Sequence, residues 1–198
     1  MESINKNESY KSESENLPVE IKFYTETATA ILNIDKNAVD LESKKNDAKQ
    51  HDLSKKDEFH ITIIGSDTGE EILKSLELLA EDEKDKILDQ ICELFELFEW
   101  NVTLKQEFYF LEKSYDNSSD STNLQKEKPE KRKSIIQIAE IDKIDKFYEK
   151  LNRLLGKQFE TPFPHVTLYT TSTLEEKKLR GVGIYSKNQF EELNPEKI

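Results

Sequence analysis

Two short stretches of the chain share one pattern, His60-Ile61-Thr62-Ile63 and His165-Val166-Thr167-Leu168, each reading His-apolar-Thr-apolar. Together they use two of the chain's 3 histidines. An imidazole with an ordinary pKa of about 6.5 exists in both protonation states near neutral pH. One neutral histidine can therefore take a proton from water or from a ribose hydroxyl, while a second, protonated, gives one to a departing oxygen. A threonine hydroxyl can donate a hydrogen bond to a non-bridging phosphate oxygen as charge builds there. This set of groups suits cleavage of a phosphodiester without a metal. One histidine per stretch offers no close ligand cluster, so no metal and no other cofactor is expected.

Such chemistry needs the four side chains on one surface, and both stretches read as strands. Alternate side chains of a strand point to opposite faces. His60 and Thr62 then project together while Ile61 and Ile63 turn to a core, and His165 and Thr167 stand likewise against Val166 and Leu168. The same alternation puts Tyr169 on the open face beside His165, where an aromatic ring can stack on a base or bond a phosphate, or else simply line the edge of the sheet. In the preceding strand, Val19 to Thr25, it sets Lys22 and Tyr24 opposite Ile21 and Phe23. If that face lines a cleft, Lys22 can pair with phosphate and Tyr24 can stack. The expected site is thus catalytic His60 and His165, with Thr62, Thr167, Tyr169, Tyr24 and Lys22 binding substrate. Phe163 either shapes the cleft wall or only packs, Trp100 packs, and Cys92 is expected in the core. His51 is expected as a solvated surface residue, and the basic run Lys126 to Lys133 as a solvated loop, with contact to a nucleic acid as the alternative.

Phe59-His60-Ile61-Thr62-Ile63-Ile64 and Pro164-His165-Val166-Thr167-Leu168-Tyr169 resemble the paired motifs of the two-histidine (2H) phosphoesterase superfamily. Its members include cyclic phosphodiesterases, bacterial RNA-ligase-like enzymes, 2′-5′ oligonucleotide phosphodiesterases and phage enzymes that destroy cyclic signalling nucleotides. The resemblance covers roughly Val19 to Ser186. It implies two pseudo-symmetric β-rich lobes with helices outside and a central cleft lined by both motifs. It also implies a 2′,3′-cyclic phosphate of a nucleotide or RNA end as the leading bond, with a 2′-5′ linkage or a cyclic signalling nucleotide as the alternative. A reading from another class is a nucleotide- or RNA-binding module without turnover. The intact His and Thr of both motifs speak for the enzyme, since a binder has no need of a matched acid and base.

Around the motifs the elements alternate. After the first strand comes a polar insertion, about residues 35–57, preceded by an apolar patch at Ala30 to Ile34. Ile72, Leu73, Leu76 and Leu79 form one helical stripe, and Ile87, Leu88, Ile91, Leu94, Phe95 and Phe98 a second, separated by the acidic stretch Glu81 to Asp85. Strands are expected at Asn101 to Leu111 and Ser134 to Ile141, with a mobile loop at about 114–132. Asp142 can cap a helix that runs to Leu155 and ends at Gly156. A short helix near Leu174 to Leu179 and a last strand at Val182 to Tyr185 complete the order. Strands and helices alternating in two similar halves give an α+β fold of two related lobes.

With 198 residues, one bilobal domain spanning 18–198 is expected behind a disordered tail of residues 1–17. Hydrophobic and charged residues each make up 35% of the chain, a low apolar share that leaves some segments outside a core. No stretch reaches the roughly 18 apolar residues of a membrane span, and residues 1–16 lack the basic start and apolar run of a secretory signal, so none is expected. A single cysteine excludes an intrachain disulfide. A cytoplasmic, monomeric protein with no membrane partner is the expectation. The net charge of −12, from 29 basic and 41 acidic residues, lacks the footprint of a protein that grips long duplex nucleic acid. A phosphate-bearing substrate is then a small nucleotide or a chain end.

Overall fold

The computed structural model describes residues 16–115 and 129–198. Among them the chain is α+β, with eight strands in one antiparallel sheet and five helices. The strands are β1 (Val19–Tyr24), β2 (Thr29–Ile34), β3 (Ser54–Lys55), β4 (Phe59–Ile64), β5 (Val102–Tyr115), β6 (Glu130–Ile141), β7 (His165–Ser172) and β8 (Glu196–Lys197). Across the sheet they run β1-β2-β4-β7-β6-β5-β8, and β3 pairs with β7 as well. Neighbours β5 and β6, or β6 and β7, pair along most of their length. The central strands β4 and β7 meet only at Ile61 and Val166. The sheet therefore has a narrow seam at its middle, and the two His-x-Thr strands flank it.

The helices are α1 (Lys45–Gln50), α2 (Ser66–Leu76), α3 (Glu81–Glu96), α4 (Ile144–Leu155) and α5 (Lys187–Glu192). The stripes on α2, α3 and α4 bury Ile72, Leu88, Ile91, Phe95, Phe147 and Leu151 in one core with Leu32, Ile61, Ile63, Val166 and Leu168 of the sheet. Full burial of a side chain of this size contributes about 1.5–3 kcal/mol. Trp100 packs there as expected, its Nε1 donating to the Phe95 carbonyl at 2.9 Å. A smaller core of Leu111, Ile136, Val182, Ile184 and Phe190 forms separately. Ile135 and Ile136 are chain neighbours that enter different cores, so the two cores lie on opposite faces of β6.

Several elements differ from the sequence expectation. The Ala30 to Ile34 patch is strand β2, held between β1 and β4, and the following polar segment is built as a 3-10 turn, α1 and β3. The two stripes do form two helices, α2 and α3, but Glu81 begins the second instead of lying between them, and acidic side chains in its first turn favour the positive end of the helix dipole. Asp142 caps nothing; Lys143 in the left-handed region precedes α4, whereas Gly156 ends it at φ 62° as expected. Val182 to Tyr185 is extended but joins no ladder. Its backbone bonds side chains instead, Val182 N–H to Ser134 Oγ, Gly183 N–H to Tyr115 OH and Tyr185 N–H to Gln189 Oε1. It crosses a sheet face as a strap. Of the expected tail, Asn16 and Leu17 are tied to Asn101 and Val102, and residues 1–15 lie outside the described residues. Of the expected loop, 114–115 and 130–132 are strand, and 116–128 lie outside the described residues. No helix among the described residues is long and apolar enough to cross a membrane.

Candidate active site

Opposite pairing of Ile61 and Val166 fixes what surrounds them. Both turn to the core, so in antiparallel register His60 is carried towards Thr167 and Thr62 towards His165 on the other face. All four line one cavity of about 480 Å³. A volume in this range suits a nucleotide-sized ligand. The twin motifs are thus brought together by one register, across the seam.

Both strands also break their register at the same point after the threonine. In β4, Ile31 pairs with Thr62 and Ala30 with Ile64, so Ile63 is an extra residue. In β7, Ile136 pairs with Thr167 and Ile135 with Tyr169, so Leu168 is extra. Such bulges re-aim the side chains that follow. Ile63 and Ile64 both enter the core, and so do Leu168 and Tyr169. Here the expectation for Tyr169 fails. Its ring is buried away from the cavity and its hydroxyl donates to the Leu41 carbonyl at 2.9 Å. Tyr148 OH donates to the Ile63 carbonyl at 2.5 Å, and the Lys56 N–H to the Leu168 carbonyl at 3.0 Å, so both bulges have a backbone partner.

Lys22 and Tyr24 are not among the cavity-lining residues either. Lys22 pairs with Ile31, which pairs with Thr62, so the face is as expected but two strands away, on the outermost strand. There it meets Glu20 at 3.7 Å and lines a separate depression with Asn33, Asp35 and Lys36. Tyr24 ends β1, 42% exposed. His51 is not simply solvated, since it stacks on Phe110 with ring centroids 3.9 Å apart. Cys92 is half-buried rather than in the core, with its Sγ against Glu96.

His165 Nδ1 lies 2.8 Å from the Phe163 carbonyl. A carbonyl has no proton to give, so Nδ1 carries the hydrogen and Nε2 is left with its lone pair when the ring is neutral. Phe163 in turn stacks on Phe190, centroids 4.3 Å apart, which fixes the segment before β7. Burial pushes the His165 imidazole below its ordinary value, the Phe163 bond works against this, and the nearby His60 charge lowers it further. Burial lowers His60 too; the Lys56 ammonium adds to this and Glu58 opposes it.

The rest of the lining came from segments whose path the sequence does not disclose. Lys56, Arg132 and Arg180 line the cavity against one acid, Glu58, with Ser66 and Tyr185. Arg132 belongs to the run expected as a solvated loop. Strand β6 turns it inward, where a fork from buried Glu130 holds it by Nε at 2.5 Å and Nη2 at 2.9 Å. Its plane lies over the Tyr115 ring at 4.3 Å. The strap passes directly over the motif: a Cβ on Gly181 would sit 3.1 Å from Thr167 Oγ1. A side chain there would crowd Thr167 by a few tenths of an ångström, a cue visible in the sequence only as Gly181 and Gly183 flanking a valine. Among the described residues, no group of three or more His, Cys, Asp or Glu side chains is arranged to hold a metal ion.

No protein-family model, no curated protein and no solved structure matches the chain.

Proposed function

We propose that the chain is a phosphodiesterase of the 2H kind, hydrolysing a 2′,3′-cyclic phosphate of a nucleotide or RNA end by paired-histidine acid–base chemistry. The observation that carries this reading is the convergence of His60, Thr62, His165 and Thr167 on one cavity from two strands with the same bulge. The matched bulges also favour two halves built on one plan. A single His-x-Thr in a strand is common; two that share a register, a bulge and a cavity are not explained by packing.

In the proposed reaction His165 is the base, because its tautomer leaves Nε2 free to accept. Nε2 takes a proton from water, the water oxygen bonds to phosphorus, and the bond from phosphorus to one ribose oxygen breaks. Protonated His60 gives its proton to that oxygen. Thr62 and Thr167 donate to the non-bridging oxygens as their charge grows. Afterwards His165 returns its proton to solvent and His60 regains one.

The test is turnover, with EDTA present, of nucleoside 2′,3′-cyclic phosphates, 2′-5′ and 3′-5′ dinucleotides and cyclic dinucleotides. Native protein is compared with His60→Ala and His165→Ala. The expected outcome is hydrolysis of the 2′,3′-cyclic class, reduced at least about 100-fold in each variant. Equal rates in all three proteins would sink the reading, and tight binding without turnover would turn it into a binding module.

A further inference from the structure

A single scissile phosphodiester carries one negative charge, and two histidines with two threonines already serve it. The cavity holds cations beyond that need. Arg132 is spoken for, its charge matched by Glu130. Lys56 and Arg180 are not: neither meets a carboxylate within 4.0 Å among the described residues. The Lys56 Nζ donates to the Leu179 carbonyl at 2.8 Å, which ties the segment before β4 to the turn before the strap. Leu179 adjoins Arg180, so this bond brings the backbone that carries Arg180 beside Lys56, and both residues line the cavity. An ammonium has three N–H donors, and Lys56 spends one here. The Arg180 guanidinium makes no hydrogen bond among the described residues, while its backbone is pinned through its carbonyl to Thr170 Oγ1 at 2.8 Å. Lys56 is half-buried; burial lowers its pKa, and the charges of Glu58 and Asp57, near but not paired with it, oppose this. An ammonium that is hydrogen-bonded but holds no direct ion pair keeps donors free for an arriving anion.

Resting on the proposed activity, we infer that Lys56 and Arg180 form a second anion subsite that takes a non-reacting phosphate of the same substrate. The substrate class is then a nucleotide with a 2′,3′-cyclic phosphate and a second phosphate on its 5′ oxygen, the position that in an RNA 3′ end is occupied by the phosphodiester to the preceding nucleotide. The scissile group sits between the histidines, and the second phosphate rests at the wall made by the segment before β4 and the turn at Leu179 and Arg180.

The experiment compares adenosine 2′,3′-cyclic phosphate with its 5′-phosphorylated form on native protein, Lys56→Ala, Lys56→Arg and Arg180→Ala. A charge-assisted contact of this kind is worth about tenfold or more in kcat/KM, so the native protein should prefer the 5′-phosphorylated substrate at least about tenfold. The preference should lie in KM, shrink in both alanine variants and be kept largely by Lys56→Arg. No native preference overturns the inference. A preference that stays unchanged in both alanine variants also overturns it, whatever common change in rate the shift of His60 brings to the two substrates in Lys56→Ala. If neither substrate is turned over, the proposed activity has failed, and binding decides the subsite alone. Calorimetry with adenosine 3′,5′-bisphosphate against adenosine 3′-monophosphate should favour the bisphosphate in native protein and lose that margin in Arg180→Ala. Equal affinities for the two would rule the subsite out.

Discussion

The hydrogen on His165 Nδ1 is committed to the Phe163 carbonyl, and both imidazoles sit below their ordinary pKa. These two facts determine how the proposed reaction responds to pH. It needs one histidine neutral and the other protonated, and each charged ring disfavours a proton on its neighbour. Because kcat/KM reports the free enzyme, its bell should centre on the acid side of about 6.5. Removing the Lys56 charge takes away one influence that lowers His60, so Lys56→Ala should move the alkaline limb upward. A pH–rate series on native and variant protein checks both, and a native optimum well above the ordinary imidazole value would contradict the burial argument. Four site residues were legible in the sequence because two tetrads with the same pattern mark strands with the same exposed face. Tyr169 was not, because counting by twos fails at a bulge, and nothing in Val166-Thr167-Leu168-Tyr169 announces one. Lys56 and Arg132 were hidden for another reason: each sits in a polar run that looks solvated until the sheet turns it inward.

Strand β6 reaches the cavity through Arg132, and the Glu130 carboxylate holds that side chain in place. Glu130 is 1% exposed and also accepts from Ser172 Oγ at 2.8 Å and Lys177 Nζ at 3.4 Å. The Arg132 hydrogen bonds are the main cause of its pKa falling to about 2, with Ser172 and Lys177 adding to them. The folded-state value lies below the unfolded one, so this contribution is complete above about pH 4.5 and is lost as pH falls from there towards 2. Glu130→Ala leaves Arg132 enclosed without its partner, which should cost about 3 kcal/mol in urea unfolding near neutral pH. The variant should also lose part of the native protein's acid sensitivity in that window. A loss under about 0.5 kcal/mol would mean that Arg132 finds other partners and that the fork does not hold the strand end. The strands β1, β4, β5, β6 and β7 and the helices α2 and α3 could be placed from local residue pattern, and α4 from its stop at Gly156. Elements of two residues, such as β3 and β8, carry no period, and the strap reads as a strand because its apolar residues do alternate. Its partners are side chains rather than a neighbouring strand, which no local pattern encodes.

For the whole molecule, the relevant contrast is between a chain of net charge −12 and a cavity whose lining carries three cations and one acid. At about 0.1 M salt a charge is felt over roughly 10 Å, so a substrate confined to the cavity responds to its local cations. A longer RNA is different, because its remaining phosphates meet the field of a chain whose net charge is −12. Among oligonucleotides ending in a 2′,3′-cyclic phosphate, kcat/KM should therefore fall as the chain grows from two nucleotides to about 20. Added salt screens the surface more than the cavity, so it should narrow the gap between short and long substrates. Proteins that bind nucleic acid through counterion release behave in the opposite sense, losing affinity for long substrates as salt rises. Steady-state kinetics at low and moderate salt over such a length series separates the two. A long substrate that is both preferred and weakened by salt would mean that a basic track lies outside the cavity, and that the substrate is an RNA body rather than its end.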